Sequence, residues 1–265
     1  MMNAIRALWR YRGFILGNVK REFQSKYLNS LLGVAWTVIQ PLSMILVYTI
    51  IFSQIMQAKL PGATAGAFGY SIYLCAGVLT WGMFVEILSR GRSTFIENGN
   101  LLKKLSFPRL CLPTTVVAMA LLNFSIIFGL FTIFLVISDN FPGWIYFAIF
   151  PVLIIQVLFA IGLGITLGVL NVFFRDVGQA VDVVLQFWFW LTPIVYVKTI
   201  LPEDVQRLMV YNPMTGLMDA YQSILAHGVM PDWQGVLPAL FLGVFFCFLG
   251  MRLFQKHSGE IVDEL

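Results

Sequence analysis

Long apolar runs, separated by short basic or polar connections, dominate this chain. Apolar stretches at about 31–56, 70–89, 110–137, 144–172, 177–197 and 234–254 each reach the ~20 residues a helix needs to cross ~30 Å of hydrocarbon at about 1.5 Å per residue. Ahead of them Ile5, Leu8, Trp9, Ile15, Leu16, Val19, Phe23 and Tyr27 recur at helical spacing between basic residues. That pattern predicts a helix lying in a membrane surface, apolar face down and basic face toward anionic headgroups. The predicted fold is all-α and integral to the membrane, in one transmembrane domain. Residues 1–30 form the interface helix, 31–197 spans one to five, 198–233 two short re-entrant external helices, and 234–265 span six with a tail.

Three connections or spans carry further patterning. The stretch 91–109 offers Asn98 or Asn100 as an N-cap, then Leu101, Leu102 and Leu105 with Lys103 and Lys104, and Pro108 as its stop. It is either a short helix across the membrane face or a solvated basic turn. The 198–233 connection is too polar to span and too apolar for a free loop. Pro202-Glu203-Asp204 reads as a helix start, Asn212-Pro213 as a break, and Leu217, Tyr221, Ile224 and Leu225 as a second helix. Re-entrant structure needs shelter from protein or a water-filled cavity, so these helices either cap a passage or serve as a structural lid. In the 144–172 span, Pro151 predicts a bend, and Gly164 with Gly168 a close helix approach.

Composition agrees with the pattern. Hydrophobic types make up 59% of the 265 residues and charged types 11%, against roughly 25% charged in soluble domains; a water-soluble surface cannot be built from so few charges. The net charge of +4 reports topology rather than nucleic-acid binding. Of the 17 Lys and Arg, all but Lys59, Lys198 and Arg207 fall on one side of the predicted spans, which puts both termini in the cytoplasm. The basic first 30 residues, with no small-residue cleavage site behind a short apolar core, are not expected to be a signal peptide.

Recognisable chemistry is sparse. No phosphate-binding loop, zinc-protease helix or dinucleotide fingerprint occurs. Cys75, Cys111 and Cys247 are far apart, and His227 and His257 are isolated, so neither a disulfide framework nor a metal site is expected. Glu86 lies one turn from Arg90, an expected ion pair, and Asp182 is within reach of Arg175 or a neighbouring helix. Two acids near one face do not make the chain of polar groups that an ion-driven carrier needs. The run Phe187-Trp188-Phe189-Trp190 points to every face of a helix, so part of it meets protein or a pore rather than lipid. Flat aromatic faces can stack on sugar rings without a tight polar site.

Several stretches, in order, resemble ABC-2 type permeases that export polysaccharide, nearest to O-antigen exporter permeases of the Wzm type. They are Lys20-Arg21-Glu22 through Lys26-Tyr27, Ser30-Leu-Leu-Gly33-Val-Ala-Trp36, Gln40-Pro41, Asn98-Gly-Asn-Leu-Leu-Lys-Lys with Phe107-Pro-Arg109 and Pro113, Phe174-Arg175-Asp176-Val177, Thr192-Pro193-Ile-Val-Tyr196 and Tyr211-Asn212-Pro213-Met214. The family's basic residue after the tyrosine of the second external helix is absent: Gln222 follows Tyr221.

The resemblance implies a transporter subunit, not an enzyme, with no cofactor of its own. ATP and magnesium would sit on a separate ABC ATPase, two copies of which would join two copies of this chain. ATPase coupling would rest on Asn98, Asn100, Leu101, Leu102, Lys103, Lys104, Arg175 and Asp176. Lys20, Arg21 and Lys26 would attract the diphosphate of an undecaprenyl-diphosphate-linked glycan. Trp36, Tyr48, Phe187, Trp188, Trp190 and Tyr196 would line the channel, and Asn212, Pro213 and Tyr221 would belong to the external gate. The implied location is the bacterial inner membrane. Capsule or teichoic acid export, or movement of a small lipid or drug, is the alternative within the family; a membrane transferase is the alternative outside it.

Overall fold

The computed structural model describes residues 9–27, 33–51, 68–104, 111–257 and 259–264. Every regular element among them is helical: α1 (Arg12–Tyr27), α2 (Trp36–Tyr48), α3 (Gly69–Glu97), α4 (Gly99–Lys104), α5 (Cys111–Ile137), α6 (Ile149–Phe173), α7 (Asp176–Trp190), α8 (Glu203–Met209), α9 (Pro213–Gln222), α10 (Trp233–Lys256) and α11 (Glu260–Glu264). A 3-10 turn, Gly143–Ala148, leads into α6, and a π turn, Ser223–His227, prolongs α9.

Four helices are long and apolar enough to cross a membrane: Gly69–Glu97, Cys111–Ile137, Gly143–Phe173 and Trp233–Lys256. They coincide with predicted spans two, three, four and six. Of the predicted first span, residues 31–32 and 52–56 lie outside the described ones, and Val38–Ile51 is a shorter apolar helix. The predicted fifth span differs. Helix α7 has 15 residues and stops at Trp190; residues 191–197 follow without helical structure. Thr192 and Pro193 explain the stop, because proline lacks the N–H and crowds the preceding residue out of helical geometry.

Two local features are added by the structure. Asn98 stands between α3 and α4: its side-chain amide donates back to the Thr94 carbonyl at 2.9 Å, and its own carbonyl accepts from the Leu101 N–H at 3.0 Å. The helix before it runs on to Glu97, so much of the predicted loop is a continuation of α3. Pro151 sits in the first turn of α6, where 3-10 geometry gives way to α. Leu105 and Pro108 lie outside the described residues.

Helix α6 is the centre of the packing, with its most extensive contacts to α10 and α3. Small residues on two of its faces make this possible. A Cβ on Gly168 would stand 2.7 Å from the Gly91 carbonyl oxygen, and one on Gly164 3.4 Å from the Gly91 Cα. On another face, a Cβ on Gly162 would stand 2.7 Å from the Cys247 backbone nitrogen of α10. Close backbone approach replaces the hydrophobic drive that lipid removes. Helix α9 is inserted beside this core, packed on α10, α3 and α6. Its Met214, Leu217, Met218 and Tyr221 are fully buried, as are Ile224 and Leu225 of the π turn to within 1%. The predicted apolar stripe of the second external helix is thus its seat in the bundle. Asn212 caps α9 by accepting from the Met214 backbone N–H at 3.1 Å, with Pro213 at the first helical position.

The tightest contact is where α9 crosses the start of α10: a Cβ on Gly216 would lie 1.8 Å from the Gly235 carbonyl oxygen. We predict that Gly216→Ala displaces α9 and destabilises the fold by about 1–3 kcal/mol or more. Gly82→Ala, where nothing lies within 4 Å, should leave the protein unchanged or stabilise it by about 0.5–1 kcal/mol. Thermal unfolding in detergent of both variants checks this; equal melting temperatures would contradict it.

Candidate functional site

Helix α3 runs between two polar regions. Its first turns meet the non-helical segment 191–197 and helix α9; its last turns meet α1, α4 and the start of α7. We refer to these as the distal and the basic end.

At the distal end the carbonyls of 191–197 have lost their helical partners and are met by side chains. Tyr73 Oη donates to the Pro193 oxygen at 3.3 Å and the Tyr196 oxygen at 3.0 Å. Tyr70 Oη donates to the Val195 oxygen at 2.9 Å. Gln222 Nε2 donates to the Pro193 oxygen at 3.1 Å and reaches the Ile194 oxygen at 3.5 Å. Asn212 Nδ2 donates to the Leu191 oxygen at 3.2 Å and the Thr192 hydroxyl at 3.0 Å. The donors come from α3, from α9 and from the cap of α9. Gly77 leaves the room they need, since a Cβ there would sit 3.0 Å from Gln222 Nε2 and 3.1 Å from Ile194.

This clamp joins the predicted gate and lining residues. Trp188 Nε1 donates to Asn212 Oδ1 at 2.8 Å. The Trp188 ring stands edge-on to Trp81, Phe84 and Phe159 at centroid distances of 6.1, 5.6 and 6.3 Å. It therefore faces the protein interior, whereas Phe187 and Trp190 are exposed. Tyr196 Oη donates to the Trp190 oxygen at 2.8 Å. Trp36 is exposed and Tyr48 half-buried. Tyr221 is fully buried. A groove of about 300 Å³ beside α7 is lined by Trp81, Ser89, Asp182, Gln186, Phe189 and Trp190 among others.

On the distal surface Asp219 lies 3.9 Å from Lys198. Burial pushes its carboxyl up to about 6, and Asp232 adds to this, while the Lys198 ammonium opposes it.

The basic end collects the other predicted residues. Ile15 and Val19 of α1 are buried against Cys111 and Met119 of α5, while Trp9 and Leu16 are exposed. Ile5 and Leu8 lie outside the described residues. A cavity of about 460 Å³ opens between α1, α3, α4 and α5, and Arg21, Glu22, Arg90, Glu97, Asn98 and Leu101 are among its lining. Inside it Arg90 pairs with Glu22 of α1 and, at 3.4 Å, with Glu86. Asn123 of α5 donates to the same Glu86 carboxylate at 2.6 Å. The expected Glu86–Arg90 pair is present, then, but as part of a network across three helices. Asp182 finds its partner on the neighbouring helix, with Arg92 at 2.8 Å. Lys20 and Lys103 are exposed, as are Arg175 and Asp176 at the turn into α7. The side chains of Lys26, Asn100, Leu102 and Lys104 lie outside the described ones.

Sequence reasoning missed Tyr70, Tyr73 and Arg92, and read Gln222 only as a departure from a family pattern. A hint was available: a proline within an apolar run frees carbonyls that donors elsewhere must meet.

Two outcomes follow. Removing donors from the clamp should loosen 191–197: Tyr73→Phe and Gln222→Leu should each cost about 1–3 kcal/mol, and the double variant should speed amide exchange across 191–197 beyond either single one. Unchanged exchange would contradict the clamp. For Asp219, the folded value of about 6 lies above the ordinary 3.8. The protonated form therefore favours the folded state, and its contribution, full below the ordinary value, is lost as pH rises through about 6. Asp219→Asn should abolish that slope in thermal stability measured across this interval.

Comparison with known proteins bears on both ends together. Residues 15–226 match the ABC-2 type transporter family. The chain is 31% identical over its full length, and over the full length of its relative, to the O-antigen export system permease protein RfbA of Myxococcus xanthus. It is 27% and 26% identical to two proteins of that description from Klebsiella pneumoniae, covering 92% of each chain in both cases.

Proposed function

The chain belongs to the ABC-2 type transporter family, and from that premise we propose that it is the permease subunit of an ATP-driven exporter of lipid-linked polysaccharide of the O-antigen type. The observation that carries the reading is its full-length similarity to a permease of an O-antigen export system. It is a multi-pass membrane protein with four long apolar helices among the described residues. In our reading α2 and α7 belong to two further spans, making six. The basic end then faces the cytoplasm of a bacterial inner membrane, in keeping with the charge bias.

Two copies would pair and recruit two copies of a separate ATPase, which binds the ATP and magnesium. Helix α4 suits the contact. It follows on the 29-residue helix α3, with Lys103 exposed and Leu101 half-buried beside the cavity. Asn98, Asn100, Leu102 and Lys104 belong to the same segment, and Arg175 and Asp176 stand at the other turn on this side. The diphosphate of the lipid-linked glycan would approach past Lys20, Arg21 and Lys26. The sugar would pass the outward aromatic side chains Phe187 and Trp190, with Trp36, Tyr48 and Tyr196 beside that path and Trp188 bracing it from within. Asn212, Pro213 and Tyr221 would seat the distal helices over the exit. ATP can drive this only if the ATP-bound ATPase prefers one permease state over another.

The test is co-purification. Expressed with its candidate ATPase and reconstituted in nanodiscs, the chain should form a two-plus-two complex that hydrolyses ATP. Leu101→Asp should remove export while the protein stays in the membrane. A chain that recruits no ATPase, or a Leu101→Asp variant that exports normally, would contradict the reading.

A further inference from the structure

Helix α7 carries the exposed aromatic side chains, yet little holds it. Among its 15 residues only Val181 and Leu185 are buried, with Trp188 half-buried behind them. Val183, Val184, Phe187 and Trp190 are all more than half exposed. Its distal end is fixed through the clamp on 191–197, largely by Tyr70 and Tyr73 of α3. Its basic end follows α6 after two residues and is tied to α3 by one side-chain fork.

That side chain is Arg92, within the last two turns before α4. Its guanidinium donates to the Gly178 carbonyl oxygen and to Asp182 Oδ2 at 3.2 Å, with 2.8 Å to Asp182 Oδ1. One fork therefore grips both a backbone carbonyl in the first turn of α7 and a carboxylate one turn on. The Arg92 side chain is only 13% exposed, so water competes weakly for it. Helix α6 seats the same junction: Asn171 Nδ2 donates to the Arg92 carbonyl at 3.3 Å, and a Cβ on Gly178 would lie 3.1 Å from Asn171 Oδ1. A planar guanidinium can serve two acceptors at once in this way; an ammonium acts as a point charge and cannot.

We propose that Arg92 is the positioning residue that hands movement of α4 to α7. It ties the helix bearing the ATPase contact to the helix bearing the aromatic face, so that both shift as one body. The inference rests on the permease reading above. Helix α3 is a single uninterrupted helix from Gly69 to Glu97, and it holds α7 at both ends. A displacement of α4 is therefore carried along α3 to the start of α7 and to the 191–197 segment. Without the Arg92 fork, α4 and α3 could move while the basic end of α7 stayed behind.

The test uses the complete complex with its ATPase in nanodiscs, together with glycan export in cells. Arg92→Gln and Asp182→Asn should assemble and hydrolyse ATP as the unaltered protein does. Glycan exported per ATP hydrolysed should fall roughly 2- to 30-fold. Arg92→Lys should restore only part of the loss. Asp182 is 61% exposed, so its variant tests the idea even if Arg92→Gln fails to accumulate in the membrane. A lower melting temperature with unchanged export per ATP would make Arg92 merely structural and overturn the proposal. If the unaltered chain recruits no ATPase, the permease reading falls and this inference with it; if the unaltered complex couples and the variants couple equally, the inference alone falls.

Discussion

A backbone that leaves helical geometry inside an apolar environment must find new partners for its carbonyls, and the structure depends on how this is done at residues 191–197. Unpaired groups there would cost several kcal/mol each in hydrocarbon. Hydroxyls from Tyr70 and Tyr73 and the amide of Gln222 meet four successive carbonyls, from Pro193 to Tyr196. The donors come from elements distant in sequence, so the break in one helix fixes the positions of two others. Asn212 links the pieces, because it caps α9, holds Thr192 and accepts from Trp188. The aromatic cluster of Trp81, Phe84, Phe159 and Trp188 is assembled around that hydrogen bond.

The bundle that presents this clamp combines a core of large buried side chains such as Phe84, Phe131 and Phe159 with close contact of backbones. Gly91, Gly164 and Gly168 let α3 and α6 touch, while Gly162 does the same for α6 and α10. Interfaces of this kind tolerate little added volume. They make α3, α6 and α10 a stiff frame, on which α7 rests along one narrow edge. Polar and charged groups then act at its margin: Glu22 and Glu86 gather around Arg90, with Asn123 donating to Glu86, and the Gly178 carbonyl and Asp182 gather around Arg92.

Much of this was legible in the sequence. Apolar run length located the four long helices to within a few residues, apart from the extension of α3, because a spanning helix must be long and uncharged. Leu217, Tyr221, Ile224 and Leu225 announced α9 by their spacing, and Asn212-Pro213 its start. The Glu86–Arg90 pair followed from its one-turn separation. What could not be read were pairings between distant segments. Nothing local distinguishes Tyr70 and Tyr73 from interfacial aromatics, or Arg92 from the other basic residues that set topology. Asn98 gave no sign that α3 would run on to Glu97 before it. Trp188 and Phe187 are neighbours of the same chemistry; only the packing around α7 turns one inward and leaves the other outside.

The shortness of α7 has a consequence for the surrounding lipid. Fifteen residues span about 22 Å at about 1.5 Å per residue, well short of a hydrocarbon layer of ~30 Å. Where its exposed face meets acyl chains, a mismatch is met by local thinning of the bilayer, by flanking side chains reaching for the interface or by pairing with protein, at a cost of fractions of a kcal/mol per Å. Covering that face with protein relieves the deformation. Membrane thickness thereby becomes a force on α7, pressing its aromatic side toward a protein neighbour more strongly in thick bilayers than in thin ones.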